Sequence, residues 1–263
     1  MRKIFWAFLL MMLVLTGCGD TNSGNTNSVD KLVIGVDDEF APMAFHNEHN
    51  ELVGFDIDLA KEACRRMGVA VEFKPIDWDN KEAEITSGNI DLIWNGCDIM
   101  EDYKRYMIFS KPYMDNRQIL LVRKGNAQKI KSVDDLKGKV VGTQAGSNSE
   151  TYVEENAPLK NSFAAFKTYR NVKDGFALLK SGELDVLIID EIAARYEMNR
   201  HPNTFELIEV TMGEVTEFGI GFRKDNAELR NRVQKAFDSM ISDGTARKIS
   251  EHWFRADLIK EGK

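Results

Sequence analysis

Cysteine, histidine and basic charge are all scarce in this chain, and each scarcity argues against a class of function. The 263 residues include three cysteines and four histidines. No CxxC and no paired-histidine spacing accompanies the cysteines, so no metal site is expected. The histidines are scattered, and no Ser-His or Cys-His arrangement points to nucleophilic catalysis. His46 and His49 share the stretch HNEHNEL, but in a polar hairpin tip they read as solvated side chains. The formal charge of −7 argues against nucleic acid or anionic lipid surfaces as partners, because both are met by basic patches. No spanning helix or signalling domain is apparent after the N-terminal segment. A membrane-embedded or kinase-fused protein is therefore not expected.

The chain begins MRKIFWAFLLMMLVLTGC, two bases followed by an apolar run that ends in small residues. That run is short for a spanning helix and reads as a secretory signal over residues 1–17. Leu15-Thr16-Gly17-Cys18 resembles a bacterial lipobox, which implies cleavage before Cys18 and lipidation of its thiol; an ordinary signal peptide is the alternative. Loss of residues 1–17 removes two bases and no acids, taking the charge to −9. Residues 18–29 are small and polar, a flexible tether after the lipidated cysteine. Folded structure is expected from about Asp30.

Length allows one large or two medium domains. With 43% hydrophobic residues, a sizeable core needs no staples. Cys64 lies on the apolar face of a predicted helix, so it reads as a small hydrophobe, while a disulfide to Cys97 stays open.

The chain is organised around Ser87 to Tyr113. Ile90 to Trp94 reads as a buried strand and Asn95 to Asp98 as a polar turn. A helical segment with acids at its start and Lys104 and Arg105 further on follows, then a Phe109-Ser110-x-Pro112-Tyr113 return. In open α/β sheets, ligands sit beyond the carboxyl ends of such strands.

This stretch resembles the DLIxxGxTITxERxxxxxFSxPY core of the solute-binding proteins of polar amino-acid ABC importers. GFDIDLAKE at 54–62, DDLKGKVVGTQAGS at 134–147, GELDVLIIDE at 182–191 and SDGTARKISEHWF at 242–254 agree in order, covering Lys31 to Phe254. The resemblance implies an α/β, two-lobed periplasmic-binding-protein (Venus-flytrap) fold with two hinge crossing strands. Lobe 1 would take 30–117 plus 217–263, and lobe 2 would take 118–216. It implies closure over a small polar ligand, delivery to a membrane permease, no cofactor, a monomer, and residence on the outer face of the cytoplasmic membrane.

Site residues follow from the same alignment. Asp37 and Phe40 fall where the family places an acid and an aromatic of the pocket. Trp78, opening a helix, falls where it often has a pocket wall. Asn95 and Gly96 lie at the central strand end. The family's threonine after that glycine is Asp98 here, and its carboxylate-binding arginine is Tyr103. Gln144, Gly146, Ser147 and Asn148 enter a helix whose N-terminus is suited to an anion; in the family this loop holds the ligand carboxylate, with a plain helix cap as the alternative. Asp190 stands where the family holds a ligand ammonium, with a plain helix cap as the alternative. Losing the arginine of a buried charge pair costs about 2–5 kcal/mol. A pocket with Asp37, Asp98, Asp190 and no arginine therefore favours a cation: a diamine, a guanidino compound, or a basic amino acid held differently. A dehydratase-like enzyme using Asp98 beside Tyr103, or a soluble sensor partner, are the alternatives.

Overall fold

The computed structural model describes residues 31–260. The signal, Cys18 and the tether fall outside the described residues. The chain starts with β1 (Lys31–Val36) and a small hairpin set, β2 (Glu39–Phe40), β3 (Ala44–His46) and β4 (Leu52–Val53). Then come α1 (Phe55–Met67), β5 (Ala70–Pro75), α2 (Lys81–Thr86), β6 (Leu92–Asp98), β7 (Met107–Phe109) and β8 (Met114–Asn116). The middle of the chain supplies β9 (Gln118–Arg123), β10 (Val140–Gln144), α3 (Asn148–Glu155), α4 (Ala157–Ser162) and β11 (Ala165–Tyr169). It continues with α5 (Val172–Ser181), β12 (Val186–Asp190), α6 (Glu191–Arg200) and β13 (Phe205–Thr211). The last part is β14 (Thr216–Arg223), α7 (Ala227–Ser242) and α8 (Thr245–Phe254).

Two separate sheets make a two-lobed α/β fold. The first runs β5-β1-β6-β14-β7, with β8 also on β14; the second runs β11-β10-β12-β9-β13. β1 is parallel to β5 and β6, and β10 is parallel to β11 and β12. Apolar runs such as ILLV of β9 and VLII of β12 are buried on both faces, as a helix-covered sheet requires. The chain passes between sheets after Asn116 and again before Thr216, and α7 and α8 pack back onto α1.

Helix α1 shows how local sequence sets its ends. Gly68 adopts φ 69° and makes the left-handed stop, while Arg65 and Arg66 sit in the last turn. Cys64 and Cys97 are both buried free thiols.

The central stretch departs from the sequence expectation. Asn95 to Asp98 is not a turn: β6 continues through Asp98, because Cys97 and Asp98 pair with Gly219 and Phe218 of the returning β14. The helical segment is a single 3-10 turn over Tyr103–Arg105.

Candidate functional site

The carboxyl ends of β1, β6, β10 and β12 point into the cleft between the two sheets. Those ends deliver Asp37, Asp98, Gln144 and Asp190. The lobes are closed against one another by direct polar contacts. Gln144 Nε2 donates to Asp37 Oδ2 at 2.6 Å, and Asn148 Nδ2 donates to Asp98 Oδ2 at 2.8 Å. Tyr103 Oη donates to the Gly146 carbonyl at 3.0 Å. At the crossing, Asn116 Nδ2 bridges Asp98 Oδ1 at 3.0 Å and Asp190 Oδ1 at 2.6 Å.

Each acid is bonded to neutral donors. Asp37 accepts from the Glu39 amide and Gln144; Asp98 accepts from Asn116, Asn148 and Thr216; Asp190 accepts from Asn116 and Gln118. Burial dominates their ionisation and lifts Asp37 and Asp98 to about 6 and Asp190 to about 7, the Asp98 charge adding to the lift at Asp190. Asp190 occupies the N-cap position of α6, yet its side chain makes no cap bond and turns to the cleft instead.

Aromatic residues pack in the cores behind the strand ends. Gly96, at φ 53°, leaves room for Phe40, since a Cβ there would stand 2.7 Å from the Phe40 ring. Trp78 begins a 3-10 turn just before α2 and is buried. Ser147 caps α3 by accepting from the Glu150 amide. Asn95 is buried and accepts the Asp37 amide through Oδ1 at 2.6 Å, holding two strand ends together. Asp37, Asn95, Asp98, Tyr103, Gln144, Gly146, Asn148 and Asp190 are thus brought together by these contacts, while Phe40 and Trp78 belong to the hydrophobic cores beside them.

Three residues were not singled out. Lys81 reaches across the cleft from α2 to the Gly146 carbonyl, 2.7 Å away. Tyr169 ends β11 with a buried hydroxyl that has no partner among the described residues; Asp190 and Asp37 help burial to raise its pKa. Asp56 is an acid in the first turn of α1, yet it is fully buried. It accepts the Gly96 amide at 2.7 Å and the Tyr113 hydroxyl at 2.9 Å, and burial lifts its pKa to about 7. It thus ties the start of α1 to the β6 strand end and the Pro-Tyr return. Asp56→Ala would strand both donors, and a loss of about 2–4 kcal/mol is expected in urea unfolding.

A separate hollow of about 360 Å³ opens beside the hairpin, lined by Phe45, Phe176, Tyr196 and Phe205 among others. None of the cleft acids lines it.

Two α/β lobes, crossed twice by the chain and closing acids and aromatics over one cleft, define a solute receptor. Residues 32–256 match the model of bacterial extracellular solute-binding proteins, family 3, and the chain belongs to that family. It is 33% identical to the L-cystine-binding protein TcyJ of Escherichia coli K12 over 232 residues, 87% of this chain and 84% of the relative. A histidine-bound substrate-binding protein of an ABC uptake transporter from Streptococcus pneumoniae superposes with a TM-score of 0.83. It is 35% identical, over 88% of this chain and 95% of the other. An ancestral arginine-binding protein bound to arginine gives 0.80 and 40% identity, over 86% and 98%. This chain is accordingly the substrate-binding component of an ABC importer that captures a small polar solute.

Proposed function

We propose that the solute is cationic, a basic amino acid or related amine, and that Asp37, Asp98 and Asp190 receive its positive groups. The observation that carries this reading is that three carboxylates, Asp37 and Asp98 buried and Asp190 half-buried, meet in one cleft with neutral hydrogen-bond partners alone. Buried ions without counter-charge are costly, and a ligand cation removes that cost. The relatives that bind arginine and histidine fit the same class. Phe40 and Trp78 supply faces for the ligand's stem or cation, worth about 0.5–2 kcal/mol each.

In this reading the lobes are 30–117 plus 217–263 and 118–216, in keeping with the sheet membership of the strands except at Thr216, which pairs with Asn116 in the first sheet. The mature chain is anchored through Cys18 on the outer face of the membrane, works as a monomer, and hands its solute to a permease. Capture without turnover is its role.

A thermal-shift panel of basic, neutral and acidic amino acids, diamines and guanidino compounds tests the class. A ligand at about a hundredfold excess over Kd adds roughly 2.7 kcal/mol to the folded state. Basic members should stabilise, and acidic ones should not. Asp190→Asn should weaken the best of them at least about thirtyfold, because one partner of a buried charge pair is lost. The same change removes an uncompensated buried acid, so the variant alone should melt no lower than the parent. Stabilisation by glutamate but not by arginine would sink the proposal.

A further inference from the structure

The hollow beside the hairpin is built by both lobes and lies apart from the cleft acids. The second lobe supplies Phe176 and Ala177 from α5, Ala193 and Tyr196 from α6, and Phe205 from the start of β13. The hairpin of the first lobe supplies Ala41, Phe45 and His46. Its rings come in two tilted pairs. The Phe45 and Tyr196 ring centres stand 5.7 Å apart across the lobe boundary, and those of Phe176 and Phe205 stand 5.9 Å apart within the second lobe. A volume of about 360 Å³ falls within the roughly 300–1,000 Å³ of pockets that hold small organic ligands. Because its lining comes from both lobes, the complete hollow exists only while they are shut.

Charge narrows what could enter. Three acids line the hollow, and each already faces a base. Asp38 lies 3.0 Å from His46, Glu39 lies 3.7 Å from Lys173, and Glu197 lies 3.4 Å from His201. Lys180 and Arg200 differ: both are exposed, and no carboxylate among the described residues pairs with either. The Arg200 guanidinium instead stands 5.9 Å from the centre of the Tyr196 ring, so a cation and an aromatic face are offered side by side. Rings favour an aromatic body set tilted or offset against them, and the two unpaired cations favour a negative group on it.

We propose that this hollow is a second binding site, which takes a small aromatic anion and is complete only in the closed protein. None of the cleft residues lines it, so it stands whether or not the captured solute is cationic. A ligand that touches Phe45 of one lobe and the α5 and α6 faces of the other favours closure. By linkage, that ligand and the solute in the cleft tighten each other's binding.

NMR titrations of the purified full chain with indole-3-acetate, indole-3-acetamide and tryptamine test this, since the three share a ring system and differ in charge. Indole-3-acetate should bind with a Kd of about 1 mM or tighter, as expected for a ligand of its size. Tryptamine should bind at least about threefold more weakly, because exposed charge pairs contribute modestly. Lys180→Gln combined with Arg200→Gln should bring the acetate down to the level of the acetamide. Ala177→Trp, made at an exposed helix position, should fill the hollow and abolish binding. Phe45→Ala should weaken the acetate at least about threefold through the lost ring contact, with its circular dichroism spectrum showing that it is folded. Should that variant not fold, Phe45→Leu makes the same comparison with the volume largely kept. No binding of the acetate by the parent at millimolar concentration, or undiminished binding in Ala177→Trp, would overturn the site. A preference for tryptamine would overturn the anionic class. Full affinity in the folded Phe45 variant would put the site on the second lobe alone and overturn its link to closure.

Discussion

Gly146→Ala is expected to hold the two lobes apart. Gly146 sits at φ 73°, and a Cβ built on it would lie 2.7 Å from Asp79 Cα, 3.0 Å from Asp79 N and 3.1 Å from the Trp78 carbonyl. These are backbone atoms of the opposite lobe, so no rotamer change relieves the contact. The lobes must separate locally, and the bonds from Lys81 and Tyr103 to the Gly146 carbonyl stretch at that same point. In the separated form the added methyl meets nothing across the cleft, so the variant should fold. Its stability should fall only by the left-handed backbone cost of about 1–2 kcal/mol. Ligand energy that depends on touching both lobes should be lost, weakening binding at least about thirtyfold. Gly138→Ala is the control: Gly138 has φ 72°, and a Cβ added there would meet nothing within 4 Å. Small-angle scattering with saturating L-arginine should show Gly138→Ala compacting and Gly146→Ala staying extended. Equal compaction and affinity in the two variants would refute the contact as a closure limit.

The same glycine shows which parts of the site were legible in the sequence and which were not. Gly146 was visible in TQAGS as a loop residue before a helix, but the approach of Asp79 comes from another lobe and leaves no local trace. The strand ends carrying Asp37, Gln144 and Asp190 were readable because apolar runs stop there and helix starts follow. Asn95 to Asp98 misled for the opposite reason. Its composition is that of a turn, yet β14 arrives from far along the chain and satisfies its backbone as a strand. Its polarity reflects the cleft it borders. Asp56 carried an ordinary helix-start signature, and only the packing of α1 on β6 buries it against Gly96 and Tyr113. Lys81 carried no signal of its own, since a lysine in the first turn of a short helix is normally solvated. Tyr169 depends on Gly175, where a Cβ would stand 2.5 Å from the ring; that is a tertiary contact across two elements.

Raising the pH from 5 to 7.5 is expected to open the protein when no solute is added. In the closed form the carboxyls of Asp37 and Asp98 are lifted from 3.8 to about 6 and that of Asp190 to about 7, burial being the largest cause in each. Glu39 and Asp38 add negative charge around Asp37, while Lys81 offsets part of the lift at Asp98. The sign follows from proton uptake. An open cleft returns these acids toward ordinary values, so between about pH 4 and 7 the closed form binds more protons than the open one. Closure is therefore favoured on the acid side, and that advantage is lost as pH rises through 6 to 7. A lift of about two units in one carboxyl corresponds to roughly 3 kcal/mol, or about a hundredfold in the open–closed ratio. L-Arginine should abolish the effect, because its cations offer the ionised carboxylates the counter-charge that protons otherwise remove the need for. The radius of gyration should thus grow with pH in the protein alone and stay small with saturating arginine. Asp190→Asn takes away the acid whose ionisation costs the closed form most, so the variant should stay closed to higher pH than the parent. A radius that is flat with pH, or that grows toward acid, would show that these carboxylates do not control closure.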